Sequence, residues 1–469
     1  MTAEVLGPSM DRLDQLADLY ERATTGVRVA EKEFDSKILP ARLRELKDKY
    51  DIRYDPAHVV LEDLAMARRV FDAAVDLLES TGLYCISTER ILPITRDEIE
   101  AALARAPGSH LFGCGSETVE AVGRDIGDSR RPLVKGGPNG CPQTAEYFLP
   151  IMTSVAQEDV DGLHTGALQD VLGRPNKAHT PIEILACKKE ALWTRQAAED
   201  AGKPGLGIVG IMSGVTSEAQ DAGDFPGGLR PTDPHLVVFL NELKMDYDLL
   251  NKVIHNKYLG NIVEACSCPL FGGYTGGAET TAIAAVAEAI AGFVVCDPAN
   301  FVWYAQSLYS GTTTDRHTLW FATTSILALR SAGLPVLLDM YVGPAAGPCT
   351  EMICDEIAAQ AIAQTAAGVT SLYGACGAKM KTTDYVTGME ARILREISEA
   401  AAGVGLDEAN AMVLRLLDRY EQPIAENREP RGKSFPECYQ LPELTPTDEY
   451  QHLWERKKED LANVGLRFA

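Results

Sequence analysis

The chain has 469 residues, 44 Lys and Arg against 67 Asp and Glu, and a formal net charge of −23. A hydrophobic fraction of 46% supplies a large core and excludes global disorder. The acidic balance argues against a nucleic-acid or anionic-membrane partner, because phosphate neutralisation needs a basic surface.

No run approaches the ~18 uninterrupted apolar residues of a membrane span. Met1 to Arg22 lacks the basic-then-apolar layout of a signal peptide, so a cytoplasmic protein is expected. The 11 cysteines are odd in number and scattered, which fits reduced thiols in a core better than a disulfide framework.

Residues 1–130 read as a charged helical extension. "PARLRELKDKYD" and "VLEDLAMARRVFDAAVDLLESTG" carry apolar residues at three- and four-residue spacing, and Gly82 stops the second run. "TRDEIEAALARAPG" has Thr95 with Glu98 three residues on, the capping-box pattern. "HLFGCGSETVEAVGRDIG" predicts a short sheet excursion.

From residue 131 to 469 the rhythm changes. Candidate strands fall at 132–137, 160–166, 205–213, 260–268, 300–307, 335–343 and 369–377, with long helical stretches between them. One of those stretches is "HLVVFLNELKMDYDLLNKVIHNK". Repeated strand–loop–helix order implies parallel strands, since each return needs a crossover. Seven strands are visible. The best fit is a (β/α)8 TIM-type barrel with an N-terminal helical extension, ahead of a doubly wound open sheet. Thr447 is read as the cap of a final helix.

In such a barrel the reactive residues sit at the C-terminal ends of strands and in the loops that follow. The polar residues there are Lys135, His164, Ser213 to Glu218, Glu264, Gln306, Asp339, Tyr341 and Tyr373. Four loops stand out: "KGGPNGCPQTAEYF", "SGVTSEAQDAGDFPGG", "FGGYTGGAETT" and "MYVGPAAGPCTEM". Each can bring backbone close to a ligand or simply make a tight turn. Glu279 and Glu351 open helices and serve equally as dipole partners. Glu264 interrupts an apolar strand, where a carboxylate is costly unless paired. Glu242 is placed on a helix face. The eight histidines show no HExxH spacing, and no GxSxG motif occurs.

With those loops in view, the chain resembles the monomethylamine:corrinoid methyltransferase family of methylotrophic archaea. The matching blocks are "GLYCISTERI", "VKGGPNGCPQTAEYFLP", "KPGLGIVG", "LNELKMD", "PLFGGYTGGAETT", "AGPCTEM", "KTTDYVTGMEAR" and "FPECYQLPELTPTDEY", in order from about residue 40 onward. The resemblance implies a (β/α)8 barrel, a homo-oligomer, and transfer of a methyl group from an amine to Co(I) of a separate corrinoid protein. It also implies no tightly bound cofactor, and the chain lacks the DxHxxG cobalamin motif.

The archaeal enzymes carry pyrrolysine, whose imine captures the amine. Counting back from "GGLRPTDPH" puts that position on Glu218, and every residue here is standard. Tyr341 stands where the archaeal pattern has a polar amide. A glutamate forms no amine adduct, so a donor with a built-in leaving group is expected, a quaternary ammonium or another onium. Glu218, Glu264 and Tyr341 are the expected catalytic residues. Glu242, Tyr274, Glu279, Tyr304 and Tyr373 are expected to bind the donor, with Trp303 a further aromatic of the box. Three alternatives stay open. One is a mono-, di- or trimethylated amine kept charged in the site. Another is a zinc-dependent barrel using Cys266, Cys268 or His164, and the third a binding barrel without turnover.

Overall fold

The computed structural model describes residues 10–468. Eight parallel strands form one sheet: β1 Leu133–Gly136, β2 Gly162–His164, β3 Ile208–Val209, β4 Pro234–Val238, β5 Ile262–Ser267, β6 Asn300–Trp303, β7 Leu338–Val342 and β8 Ser371–Gly374. Each strand pairs with its neighbours in chain order, and β8 pairs with β1. The seam between β3 and β4 is a bridge of Gly210 with His235, so the sheet closes into a (β/α)8 barrel.

Helices follow the strands as α1 Phe148–Ala156, α2 Pro181–Asp200, α3 Ser217–Asp221, α4 Tyr247–Leu259, α5 Ala278–Cys296, α6 Arg316–Ser331, α7 Glu351–Ala366 and α8 Gly388–Ala400. Their starts are chemically marked. Asp246 accepts from Leu249 N, Asp315 from Thr318 N and Thr350 from Ile353 N, while Thr387 and Glu390 form a capping box. Helix α5 is long and apolar enough to cross a membrane, yet 94% of that stretch is buried inside the protein.

All seven expected strands form. The eighth, β4, lies inside the stretch expected to be helical from residue 235. Only Tyr247–Leu259 of that stretch is helix. A strand buried on both faces is a continuous apolar run, so "HLVVFL" shows no alternation that would tell it from a helix.

Thr95 and Glu98 form the expected capping box, and Gly82 ends its helix at φ 67°. Thr447 flanks the last helix, Asp448–Val464, but its side chain makes no capping hydrogen bond. The expected sheet excursion is a hairpin, Ser109–Phe112 with Val119–Val122. This hairpin plugs the N-terminal end of the barrel, where the Phe112 ring lies 5.1 Å from the Lys135 ammonium. The extension's helix Leu64–Thr81 packs on α5 and α6.

Candidate active site

Strand register builds two layers of side chains inside the barrel. Glu264 pairs with Asn300, Val302 with Asp339, and Tyr373 with both Tyr341 and Lys135. Since side chains alternate along a strand, these partners share the inner face.

The lower layer is a buried polar knot in which Glu264 Oε1, Asp339 Oδ1 and Asn300 Oδ1 are left without a partner. Lys135 Nζ lies 3.2 Å from Glu264 Oε2, 3.2 Å from Asp339 Oδ2 and 2.5 Å from Tyr373 Oη. Asn300 Nδ2 donates to the same two carboxylate oxygens at 2.8 and 2.7 Å, and the Tyr373 hydroxyl lies 2.6 and 2.7 Å from them. All five residues are buried. Burial works against the Lys135 ammonium, but Glu264 and Asp339 outweigh it and hold its pKa above the usual lysine value. Two carboxyl groups thus share one ammonium.

The upper layer is aromatic, with thiols. Tyr304 Oη lies 2.7 Å from His164 Nε2, and the Tyr304 and Tyr341 rings are 4.8 Å apart at 32°. Cys141 Sγ approaches Tyr341 Oη at 3.6 Å, and Cys376 Sγ donates to the carbonyls of Gly137 and Pro138 at 3.2 and 3.1 Å. Burial pushes the His164 pKa down to about 3, so its ring is neutral. Its Nδ1 faces the Thr165 carbonyl, which fixes the proton there and leaves Nε2 to accept from the Tyr304 hydroxyl.

Buried glutamates on the outer helices pin the loops above this layer. Glu190 of α2 accepts from Met212 N and Ser213 N, both at 2.7 Å, and burial raises its pKa to about 7. Glu356 of α7 accepts from Ala345 N and Ala346 N at 2.7 and 2.8 Å. The second and fourth loops are therefore held from behind by carboxyl groups, and Glu351 stays exposed in the first turn of α7.

Of the expected residues, Glu264, Tyr304, Tyr341 and Tyr373 meet inside the barrel, together with His164. Glu218 does not. It is exposed on α3, beside His179, Thr180 and Ile184 of the α2 entrance. Thr216 caps that short helix, Ser217 and Ala219 turn inward, and the charged side chain between them takes the solvent side. The expectation that a carboxylate at 218 replaces a reactive imine in the cavity is corrected on this point.

Tyr274 is also outside, 54% exposed, with its ring 5.8 Å from the Lys244 ammonium. Glu279 accepts from Tyr54 N and ties the extension to α5. Glu242 is not on a helix but in the turn after β4, 1% exposed beneath Gly273. Burial, then the nearby Glu288 carboxylate, pushes its pKa up to about 8. Trp303 points outward and donates to the Ala285 carbonyl of α5, so it is packing. Among the described residues no group of three or more His, Cys, Asp or Glu is arranged to hold a metal ion.

Asn300, Asn139, Cys141 and Cys376 complete the two layers and were not singled out from sequence. The signal for Asn300 is its register partner Glu264 on the neighbouring strand, which needs the pairing to be known. The loop carrying Asn139 and Cys141 stands out in the sequence, but its individual side chains do not.

The family model described as monomethylamine methyltransferase MtmB matches residues 15–466. MtmB1 of Methanosarcina acetivorans is 36% identical over 452 residues, covering 96% of this chain and 98% of the relative. MtmB of Methanosarcina mazei is 36% identical over 456 residues with the same coverage. The crystal structure of the Methanosarcina barkeri monomethylamine methyltransferase superposes with a TM-score of 0.94 at 34% identity, covering 97% of this chain and 98% of that one. A hydroxylamine complex of MtmB matches equally well. With its barrel, its eight matching sequence blocks and these relatives, the chain belongs to the monomethylamine methyltransferase MtmB family of methyltransferases.

Proposed function

We propose that this methyltransferase moves a methyl group from a cationic N-methyl donor to the Co(I) of a corrinoid carried by a separate protein. The observation that carries the reading is the Tyr304–Tyr341 ring pair above a floor in which two carboxyl groups share one ammonium. Electron-rich ring faces and an excess of carboxyl groups both favour a cation.

The donor must bring its own leaving group. The lysine inside the barrel, Lys135, is locked between Glu264 and Asp339 and is not free to form an adduct with an amine or carbonyl. With an onium donor none is needed. The C–N bond breaks with its electron pair going to nitrogen, a neutral amine leaves, and the cobalt pair forms the new bond to carbon. The barrel's part is to hold the cation, align its methyl outward and keep water away. The corrinoid enters here as the methyl acceptor, presented at the C-terminal face by its own protein.

The test mixes the purified protein with a reduced corrinoid protein and single candidate amines, and follows the cobalt absorbance. Methylation by one or more quaternary amines, and none by monomethylamine, is expected. Activity on monomethylamine with no quaternary amine accepted overturns the proposal.

A further inference from the structure

Resting on that reading of the barrel mouth, we infer that Gln143 forms a second subsite, which recognises a neutral hydrogen-bonding arm on the cationic donor. Gln143 lies in the loop that follows β1, and its residues Pro142–Gln143 pair with Ala167–Leu168 beyond β2. The same loop sends Cys141 to Tyr341 and Asn139 to Cys376, so it roofs the upper layer. Gly140 brings it against Met212 beyond β3, on the other side of β2. The Gln143 amide sits over Gly166, two residues past His164; a methyl group at 166 would lie 2.4 Å from Gln143 Oε1.

Gln143 is fully buried, and neither its Oε1 nor its Nε2 has a partner. Asn139, 5% exposed, has its Oδ1 unpartnered too. Buried amides are normally satisfied, and leaving both ends of one unpaired is costly. A glutamine kept at that cost beside the upper layer is a recognition group waiting for its ligand.

The free atoms define the ligand. In these two side chains they are one amide NH2, with two N–H donors, and two carbonyl acceptors, so the partner must both accept and donate. A hydroxyl or a primary amide does both. A carboxylate only accepts, would leave the oxygens unpaired, and would add negative charge above Glu264 and Asp339. An alkyl arm satisfies nothing. The donor class is therefore an N-methyl cation carrying a hydroxyl or carboxamide a few bonds from nitrogen.

Choline and n-propyltrimethylammonium test this, because they match in charge and size and differ by a hydroxyl for a methyl. Glycine betaine supplies the carboxylate arm. Calorimetric binding to the full chain needs no corrinoid, so it reads the subsite apart from methyl transfer. Choline is expected to bind at least about tenfold tighter than the propyl analogue, and tighter than betaine. Gln143→Leu is expected to level choline and the propyl analogue, and Gln143→Met serves if the leucine variant does not fold. Equal binding of the pair, binding of neither, a preference for betaine, or a choline preference that survives both variants overturns the subsite. A choline preference lost on substitution, with no cobalt methylation by any cation, upholds the subsite and sinks the transfer reading instead.

Discussion

Tyr304 Oη sits 2.7 Å from His164 Nε2, inside the barrel; His164 ends β2 and Tyr304 directly follows β6, strands that are not neighbours. The Thr165 carbonyl at Nδ1 forces the direction of this bond, so the phenol donates and its oxygen lone pairs and ring remain available. A phenol that donates its proton has a more electron-rich ring, which strengthens its hold on a cation. Replacing the ring tests that hold. Tyr304→Leu should raise the KM for a cationic donor roughly thirtyfold, the worth of about 2 kcal/mol for a desolvated cation–π contact. Tyr304→Phe keeps the ring and should cost much less. Steady-state cobalt methylation by the two variants separates ring from hydroxyl; equal losses would assign the effect to the hydrogen bond instead.

The same histidine sets an acid limit on stability. His164 titrates near its ordinary 6.5 when unfolded and at about 3 in the native barrel. Between those values the unfolded chain binds the extra proton, so stability falls as pH drops from about 6.5 toward 3 and is flat above that window. Urea midpoints measured at intervals from pH 4 to 8 should show this slope. His164→Gln should make it shallower, with His110, pushed down to about 4, retaining its own share.

Much of this architecture is legible in sequence because barrel strands and helices alternate in length and composition. Thr95 with Glu98 announces a helix start by side-chain chemistry alone, and the structure shows the same two hydrogen bonds. What stays hidden depends on register. Nothing in "CDPANFVW" marks Asn300 as a partner of Glu264 until β5 and β6 are paired. Glu218 shows the reverse failure. Counting along a loop fixes a position in the chain but not the side of a five-residue helix on which it falls. Glu242 reads as helical, and β4 stays hidden, for one reason: an apolar run buried on both faces has no period of its own.

The floor knot is predicted to be a folding liability when broken on one side. Lys135→Met leaves Glu264 and Asp339 buried at 0% and 1% exposure without their shared cation. Removing one partner of a buried ion pair costs about 3–5 kcal/mol. Denaturant unfolding should show a loss of that size. Adding Glu264→Gln and Asp339→Asn to the same chain should recover part of it, because the uncompensated charges go. A Lys135→Met variant as stable as the parent would mean the knot is held by Asn300 and Tyr373 alone.

Gly137 makes the turn from β1 into the roof loop at φ 131°, and a methyl group there would lie 2.1 Å from the His164 carbonyl oxygen. Backbone cannot yield as a flexible side chain can. Gly137→Ala should therefore lift the loop from β2 and cost about 1–3 kcal/mol in stability. The loop carries Cys141 to Tyr341, so the upper layer should loosen as well. A lowered melting temperature with a raised KM is the expected pair of readings. A lowered melting temperature with unchanged KM would show that the roof loop is not part of the donor site.

Glu242 carries the opposite pH signature to His164. Burial, with the Glu288 carboxyl beside it, raises its pKa from 4.5 to about 8. Glu288 is itself raised to about 7 by burial, and it accepts from Leu243 N in the same turn. Between 4.5 and 8 the native chain keeps the Glu242 proton while the unfolded chain has lost it. Stability from this group therefore falls as pH rises through that window and is flat below it. Glu242→Gln mimics the protonated form at every pH. Its melting temperature should match the parent near pH 5 and exceed it increasingly toward pH 8. A difference that stays constant from pH 5 to 8 would mean that Glu242 is ionised in the native turn, with its charge met by the neighbouring Lys244.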